Sequence, residues 1–260
     1  VFDGKAPVAK TEVTTERRTQ RAAAQTEMNE IKANIEAKEQ AGQMNESLRA
    51  TMMTRVDELQ RKAPIILHGE KDEIKQFLYA AGVQSLTASG EADDVLAYFC
   101  RTGITQAVIS TDMDMLARGV PRLIVPETND AATMTEISLA GVMAGLGLTY
   151  PQFVDACVLM GSDYTGKAWR SIEPRLAVDA ARRGVVWAAM DVSSGVCDAL
   201  ALSATMLRGD GVVWDTLLNE RQRSKWSSGR PAVEVESLKA FHAKAGWPAD
   251  WLGVLGGGAL

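Results

Sequence analysis

The feature that most constrains this chain is the stretch from Gly90 to Leu116, where two acid-rich motifs, G-E-A-D-D and S-T-D-M-D-M, flank a helix-and-strand unit. In the first motif Glu91 and Asp93 open an apolar-periodic run, Val95, Leu96 and Phe99, which predicts a helix beginning near Gly90. Acids at that end suit the partial positive charge of a helix N-terminus. The second motif follows Ala107, Val108 and Ile109, a short β-branched run that predicts a buried strand, so Asp112 and Asp114 emerge at a strand's carboxyl end. Open parallel sheets place ligands there. Asp112 and Asp114 alternate by two, so the chain must bend after the strand before both can face one point. Ionised acids gathered this closely need a divalent cation, and oxygen-only donors favour Mg²⁺ or Mn²⁺. The plainer alternative is a pair of helix-start acids followed by a polar loop.

Composition sets looser bounds. With 260 residues the chain can form one large domain or two small ones, and its 46% hydrophobic and 23% charged residues suit a soluble globular protein. Cys100, Cys157 and Cys197 are dispersed, with no C-x-x-C pair for zinc or redox chemistry, and an odd count argues against a disulfide framework. A reducing compartment is expected. No uninterrupted apolar stretch reaches membrane-spanning length, and no signal peptide is legible. The formal net charge of −5 argues mildly against a nucleic-acid partner, although bound cations would cancel the charge of clustered ligands.

The chain opens on V-F-D-G-K-A-P, which reads as the end of a strand running into an acid and a turn, and implies that earlier residues precede it. From Lys10 to Lys62 Ala, Glu, Gln, Arg and Lys dominate, and Gly42 is the sole Gly or Pro. Met28, Ile31 and Ile35 form one stripe, and Leu48, Met52, Val56 and Leu59 another. Two amphipathic helices with thin apolar faces, broken near Gly42, are expected. A coiled-coil hairpin would explain them alone, but Lys10, Arg17, Arg18 and Arg21 follow closely on Asp3 and give the span a basic face suited to phosphate.

After Pro64 the pattern alternates. Helices are expected over 72–81, 90–101, 134–146 and 151–160, and strands over 83–87, 107–110 and 122–125. Such alternation predicts an α/β fold with a mostly parallel central sheet flanked by helices. Beyond Gly161 the pattern turns helical, and the Gly-rich end is expected to fray. The run from Gly161 to Ala168 nearly spells a phosphate-binding P-loop, but Ala168 lacks the required hydroxyl and the preceding run reads as helix, so an NTPase is rejected. His68 and His242, the only histidines, lie near no nucleophile motif, and are expected at the surface or in packing.

The ordered motifs V-F-D-G-K-A-P, G-E-A-D-D, S-T-D-M-D-M-L and V-L-M-G-S-D-Y closely resemble those of the flap endonucleases in the XPG 5′-nuclease superfamily, over roughly Val1 to Gly184. The resemblance implies a PIN-like 5′-nuclease core over 1–160, with a helical arch at about 10–62 through which a single strand passes. It implies a helical DNA-binding region over 161–260, opening with a helix-hairpin element. By it, Asp3, Glu91, Asp93, Asp112, Asp114 and Asp163 hold two Mg²⁺ ions, with Mn²⁺ able to substitute. Lys10 and Arg17 contact the scissile phosphate, and Arg18, Arg21, Lys167, Arg170 and Arg175 contact DNA. The implied protein is a monomeric, intracellular nuclease that acts on branched or flapped DNA in replication and repair, in the nucleus or wherever DNA is replicated, and not at a membrane.

The chain departs from the family pattern in three places. A further catalytic Asp expected upstream of V-F-D-G-K is not in the sequence, so the chain is expected to bind metal and branched DNA but to cleave poorly unless completed. The family's G-I-G-P hairpin is replaced by Ser171-Ile172-Glu173-Pro174, whose Cβ atoms and negative charge oppose close approach to duplex phosphate. No clamp-binding peptide with paired aromatics is legible near the C-terminus. A catalytically impaired junction-binding or scaffold protein of the same fold is therefore the alternative. Retention of all six acids, which repel DNA unless they hold cations, favours the enzyme.

Overall fold

A computed structural model of the chain describes residues 1–63, 69–127, 133–165, 169, 171–184, 194–209, 217–227, 229 and 231–245. Two units can be separated, Val1–Thr11 with Ser85–Gly229, and Glu12–Gln84 with Arg230–Leu260.

The second unit contains the long polar helices. Helix α1 (Thr11–Gln40) and α2 (Glu46–Lys62) meet at a turn where Gly42 takes a positive φ. Met28, Val56 and Leu59 are buried between them, with Ala24 and Ile31 alongside. Glu39 pairs with Arg49 near the turn and Glu27 with Arg55 further from it, so the helices run antiparallel. Asn45 starts α2 by accepting the Leu48 N–H at 2.8 Å. In the same unit α3 (Glu70–Ala80) packs on the helix Val235–Ala245, with Phe77 edge-on to Phe241 at 5.8 Å and Lys244 bonded to Glu73 at 2.5 Å.

The first unit holds the sheet. Strand β1 (Val108–Ile109) pairs parallel with β2 (Arg122–Pro126), Val108 opposite Leu123, and β2 pairs antiparallel with β3 (Met134–Ser138). Helix α4 (Ala92–Arg101) precedes β1, and the short α5 (Asp114–Ala117) links β1 to β2. Then come α6 (Leu139–Leu146), α7 (Tyr150–Met160), α8 (Pro174–Arg182) and α9 (Ser194–Arg208). The main core gathers Val108, Met115, Val120 and Leu123 from the sheet region, Val154 and Val158 from α7, and Leu200 and Leu207 from α9. Each such fully buried side chain contributes roughly 1.5–3 kcal/mol of transfer free energy. A second cluster joins Leu86, Val95 and Phe99 to Leu217 and Leu218, with Trp226 at 4.8 Å from Phe99. The mixed α/β architecture agrees with the expected fold class, but the described sheet is not mostly parallel: β1 and β2 share two parallel pairs, whereas β2 and β3 share five antiparallel ones.

Two expected elements differ. The stretch 134–146 is not one helix: residues 134–138 form β3, and only Leu139–Leu146 is helical. Thr135 and Ile137 are β-branched, β2 offers a free edge, and Arg122 makes a two-pronged bond to Glu136 at 2.9 Å across it. Ser138 then caps α6 by accepting the Gly141 N–H. The expected strand 83–87 reduces to one parallel bridge between Phe2 and Thr87, since among the described residues only the chain's opening residues pair with it there. No single helix among the described residues is long and apolar enough to cross a membrane. The three cysteines are free, and burial first, then the charge of Asp114, pushes the Cys157 thiol up to about 12. That thiol is unreactive at neutral pH.

Candidate active site

The chain's opening residues are drawn against the residues before α4. The Phe2 N–H donates to the Leu86 carbonyl at 2.8 Å, and the Gly4 N–H to that of Gly90 at 2.7 Å. A Cβ at Gly4 would overlap the backbone of Ala88 and Ser89, so only glycine permits this approach. Asp3 is thereby brought to the start of α4, where its Oδ1 accepts the Ala92 N–H at 2.8 Å. Glu91 occupies the N-cap position but makes no capping bond with its own side chain, so a carboxylate distant in sequence caps this helix. The substitution frees Glu91 to face elsewhere.

Beyond β1, Ser110 Oγ accepts the Asp112 N–H at 3.0 Å, and Asp112 Oδ1 accepts the Asp114 N–H at 2.9 Å. These bonds make the bend that the alternating acids required. Gly119, at φ +78°, then turns the chain toward β2 where a Cβ would come within 2.9 Å of the Tyr150 hydroxyl. Asp163 follows α7 in a turn closed by the Thr165 N–H to Ser162 carbonyl bond at 3.1 Å.

Lys10 and Arg118 provide the cations of this site. Lys10 Nζ lies 2.8 Å from Glu91 Oε1, 3.7 Å from Asp163 Oδ2 and 4.7 Å from the centre of the Tyr164 ring. Arg118 is only 3% exposed. One of its terminal nitrogens donates to Asp94, and the other donates to Glu91 Oε2 at 3.1 Å and the Tyr164 hydroxyl at 2.6 Å. Tyr164 in turn donates to Glu91 Oε2 at 2.5 Å.

Burial alone would raise Glu91, but bonds from Lys10 and Tyr164 and the charges of Lys10 and Arg118 hold it below the ordinary glutamate value. Asp93 is raised, by burial first, with Asp112, Asp3 and Glu91 adding to the rise against Arg118. Asp114 is raised by burial and then by Asp112, with Asp163 also contributing. Burial likewise raises Asp94 despite its bond to Arg118. Arg118 is raised: burial opposes its charge, but Tyr164, Asp94 and Asp93 outweigh it.

Asp93 thus feels Asp3, Glu91 and Asp112, and Asp114 feels Asp112 and Asp163, so the six acids form one chain of interacting charges. Among the described residues, however, no three His, Cys, Asp or Glu side chains are gathered closely enough to hold a metal ion as they stand. The donor chemistry fits a hard divalent cation, being all oxygen and including half-buried acids, Glu91, Asp93 and Asp114, whose charge a cation would stabilise.

Sequence reading missed Arg118, Asp94 and Tyr164. A signal existed: Arg118 interrupts the apolar run Met115, Leu116, Ala117 and Val120, where a charged residue is rarely buried without a partner. Of the expected DNA-contacting residues, Arg17, Arg18 and Arg21 are exposed along α1 in the second unit, and Arg175 is exposed in the first turn of α8. Glu173 is exposed at the α8 N-cap, and the Ile172 N–H donates to the Leu159 carbonyl at 3.0 Å. Lys167, Arg170 and His68 lie outside the described residues, and His242 lies on the helix Val235–Ala245.

The XPG I-region family pattern matches residues 82–163, the span carrying Glu91, Asp93, Asp112, Asp114 and Asp163. Flap endonuclease 1 of Ostreococcus lucimarinus (strain CCE9901) is 32% identical over 182 residues, covering 68% of this chain and 42% of that protein. The chain belongs to the XPG superfamily. Human flap endonuclease 1 is also 32% identical, over 69% of this XPG chain and 43% of its own length. The chain thus spans less than half the length of these relatives. Two solved structures share the XPG fold. Flap endonuclease-1 from Methanococcus jannaschii has a TM-score of 0.52 at 18% identity, over 75% of this chain and 63% of its own. The catalytic core of Rad2 in complex with DNA substrate has a TM-score of 0.55 at 14% identity, over 98% of this chain and 76% of its own.

Proposed function

We propose that this chain carries the acidic site of a structure-specific 5′ nuclease that hydrolyses DNA phosphodiesters at flaps or junctions, in replication and repair. The observation that carries the reading is the position of Lys10, bonded to Glu91 and within 3.7 Å of Asp163, among acids contributed from four separated parts of the sequence. A solvated acidic face has no use for a largely buried lysine at its centre. A site that accepts a phosphodiester between cations does.

Asp3, Glu91, Asp93, Asp112, Asp114 and Asp163 are the residues that would hold two Mg²⁺ ions, or Mn²⁺ in their place, and bound ions would supply an activated water and stabilise the leaving oxygen. Lys10 offsets charge on the phosphoryl oxygens as it grows in the transition state, exchanging carboxylate contacts for phosphate ones. Arg17, Arg18 and Arg21 along α1 provide a basic face for a single strand, which is gripped through its backbone and so without sequence preference. Such a protein selects DNA by shape. Arg175, with Lys167 and Arg170, is assigned to the duplex, and the exposed Glu173 weakens the grip there. We assign the protein to the cell's sites of DNA replication, acting as a monomer.

The test is cleavage of a 5′-flap DNA in Mg²⁺, compared with blunt duplex and single strand of the same sequence. Flap-selective binding with weak cleavage that Asp114→Ala abolishes is the expected result. Flap-selective binding without cleavage would favour the junction-binding alternative, and neither binding nor cleavage would overturn both.

A further inference from the structure

Arg118 has no role in the proposed chemistry so far, yet it is the most thoroughly buried charged side chain among the described residues at 3% exposure. Its planar fork spans two acids on one face of α4: one terminal nitrogen takes Asp94, the other Glu91 at 3.1 Å. The second nitrogen also reaches the Tyr164 hydroxyl at 2.6 Å, and the guanidinium carbon lies 5.9 Å from that ring's centre. Arg118 itself follows α5, which begins at Asp114, and the α5 backbone is tied to it by the Arg118 N–H to Asp114 carbonyl bond at 2.9 Å. One side chain therefore connects the start of α4, the end of α5 and the turn after α7, which are the elements bearing Glu91 and Asp93, Asp114, and Asp163.

Arg118 also touches a single Glu91 oxygen. It meets Oε2 together with Tyr164, while Oε1 faces Lys10 at 2.8 Å. With Oε2 bound from behind by two donors, Glu91 presents Oε1 toward Lys10, which also lies 3.7 Å from Asp163. Arg118 Nε has no hydrogen-bond partner among the described residues and is buried. That is a costly arrangement for a residue serving stability alone, since a buried pair exchanged for apolar side chains is often neutral or stabilising.

We propose that Arg118, with Asp94 as its counter-ion, is a positioning residue of this acidic site, acting through Glu91 by fixing which carboxylate oxygen faces the reaction and by holding α4, α5 and the turn after α7 in one arrangement. The inference rests on the nuclease reading above. It acts as an outer partner that orients a ligand, a kind of residue whose loss lowers metal affinity or activity by roughly 10–100-fold.

The double variant Arg118→Met with Asp94→Leu tests it. It removes one positive and one negative charge, so the net charge around the acids is unchanged and a loss of cation affinity reports geometry. Mn²⁺ titration followed by electron paramagnetic resonance is expected to show affinity about 10-fold below the parent's, with thermal stability near the parent's. On 5′-flap DNA in Mg²⁺, kcat should fall on the order of 10–100-fold with little change in KM. Parental Mn²⁺ affinity and kcat in the double variant would overturn the inference and reduce Arg118 to a structural residue. Should that variant fail to fold, Arg118→Lys decides: it keeps the charge and loses the fork, so a parental Mn²⁺ affinity in it also overturns the inference. A parent chain that takes up no Mn²⁺ and cleaves nothing overturns the nuclease reading and this one with it, whereas a binding parent matched by its variants overturns this one alone.

Discussion

The acidic site and the α1–α2 hairpin both carry many charges, but they place them in opposite surroundings. At the site Arg118 and Glu91 are 3% and 12% exposed at the side chain, and each makes more than one bond. In the hairpin Arg49 and Glu39 are 57% and 45% exposed, and Arg55 and Glu27 are 43% and 45% exposed. Water competes for every one of these hairpin charges, while Arg118 and Glu91 are satisfied mainly by the protein. The same residue types therefore hold geometry at the site and mainly solubilise the hairpin, whose own stability rests on Met28, Val56 and Leu59. A small apolar seam with solvated flanks opens locally at low cost, and a buried charge network is suited to stay still.

Removal of Arg118 alone is the harshest test of the contrast between site and hairpin. Arg118→Met leaves Asp94 and the Tyr164–Glu91 pair with an uncompensated buried charge, and should cost about 3 kcal/mol in urea unfolding, near the low end for such pairs because Asp94 is 19% exposed. A loss below ~1 kcal/mol, the range of an exposed pair, would show that the site is solvated after all. Next in size, Leu59→Ala should cost about 2–3 kcal/mol through the cavity it leaves in the hairpin seam, read as faster hydrogen exchange throughout α1 and α2. Exchange unchanged in the hairpin would mean that its apolar seam does not hold it. Asn45→Ala removes the α2 cap and should cost about 1 kcal/mol, seen as fraying at the start of α2. Smallest of all, Arg49→Ala should leave the melting temperature of the parent unchanged at high salt, where the exposed pair with Glu39 is screened. A salt-independent drop would place that pair in the same class as Arg118.

Much of the local architecture was legible in the sequence. The paired stripes of α1 and α2 and the break at Gly42 followed from helical periodicity, as did α4 with acids at its start and α7 with Pro151 in its first turn. The order of the four acid-bearing motifs was enough to indicate the family. The helices are short-range properties, set by neighbours within one or two turns of chain.

Only the tertiary structure decided the rest. Met134 to Ser138 became a strand because β2 offered hydrogen bonds and Arg122 an opposite charge, and helical periodicity cannot register a partner that lies elsewhere in the sequence. Asp3, not Glu91, caps α4 because the chain's opening residues pair beside Thr87, which leaves Glu91 free to meet Lys10. Arg118 reads in sequence as one basic residue at the end of a short apolar run. Its role comes from folding, which withdraws water from it and leaves Asp94, Glu91 and Tyr164 as the groups able to satisfy its charge.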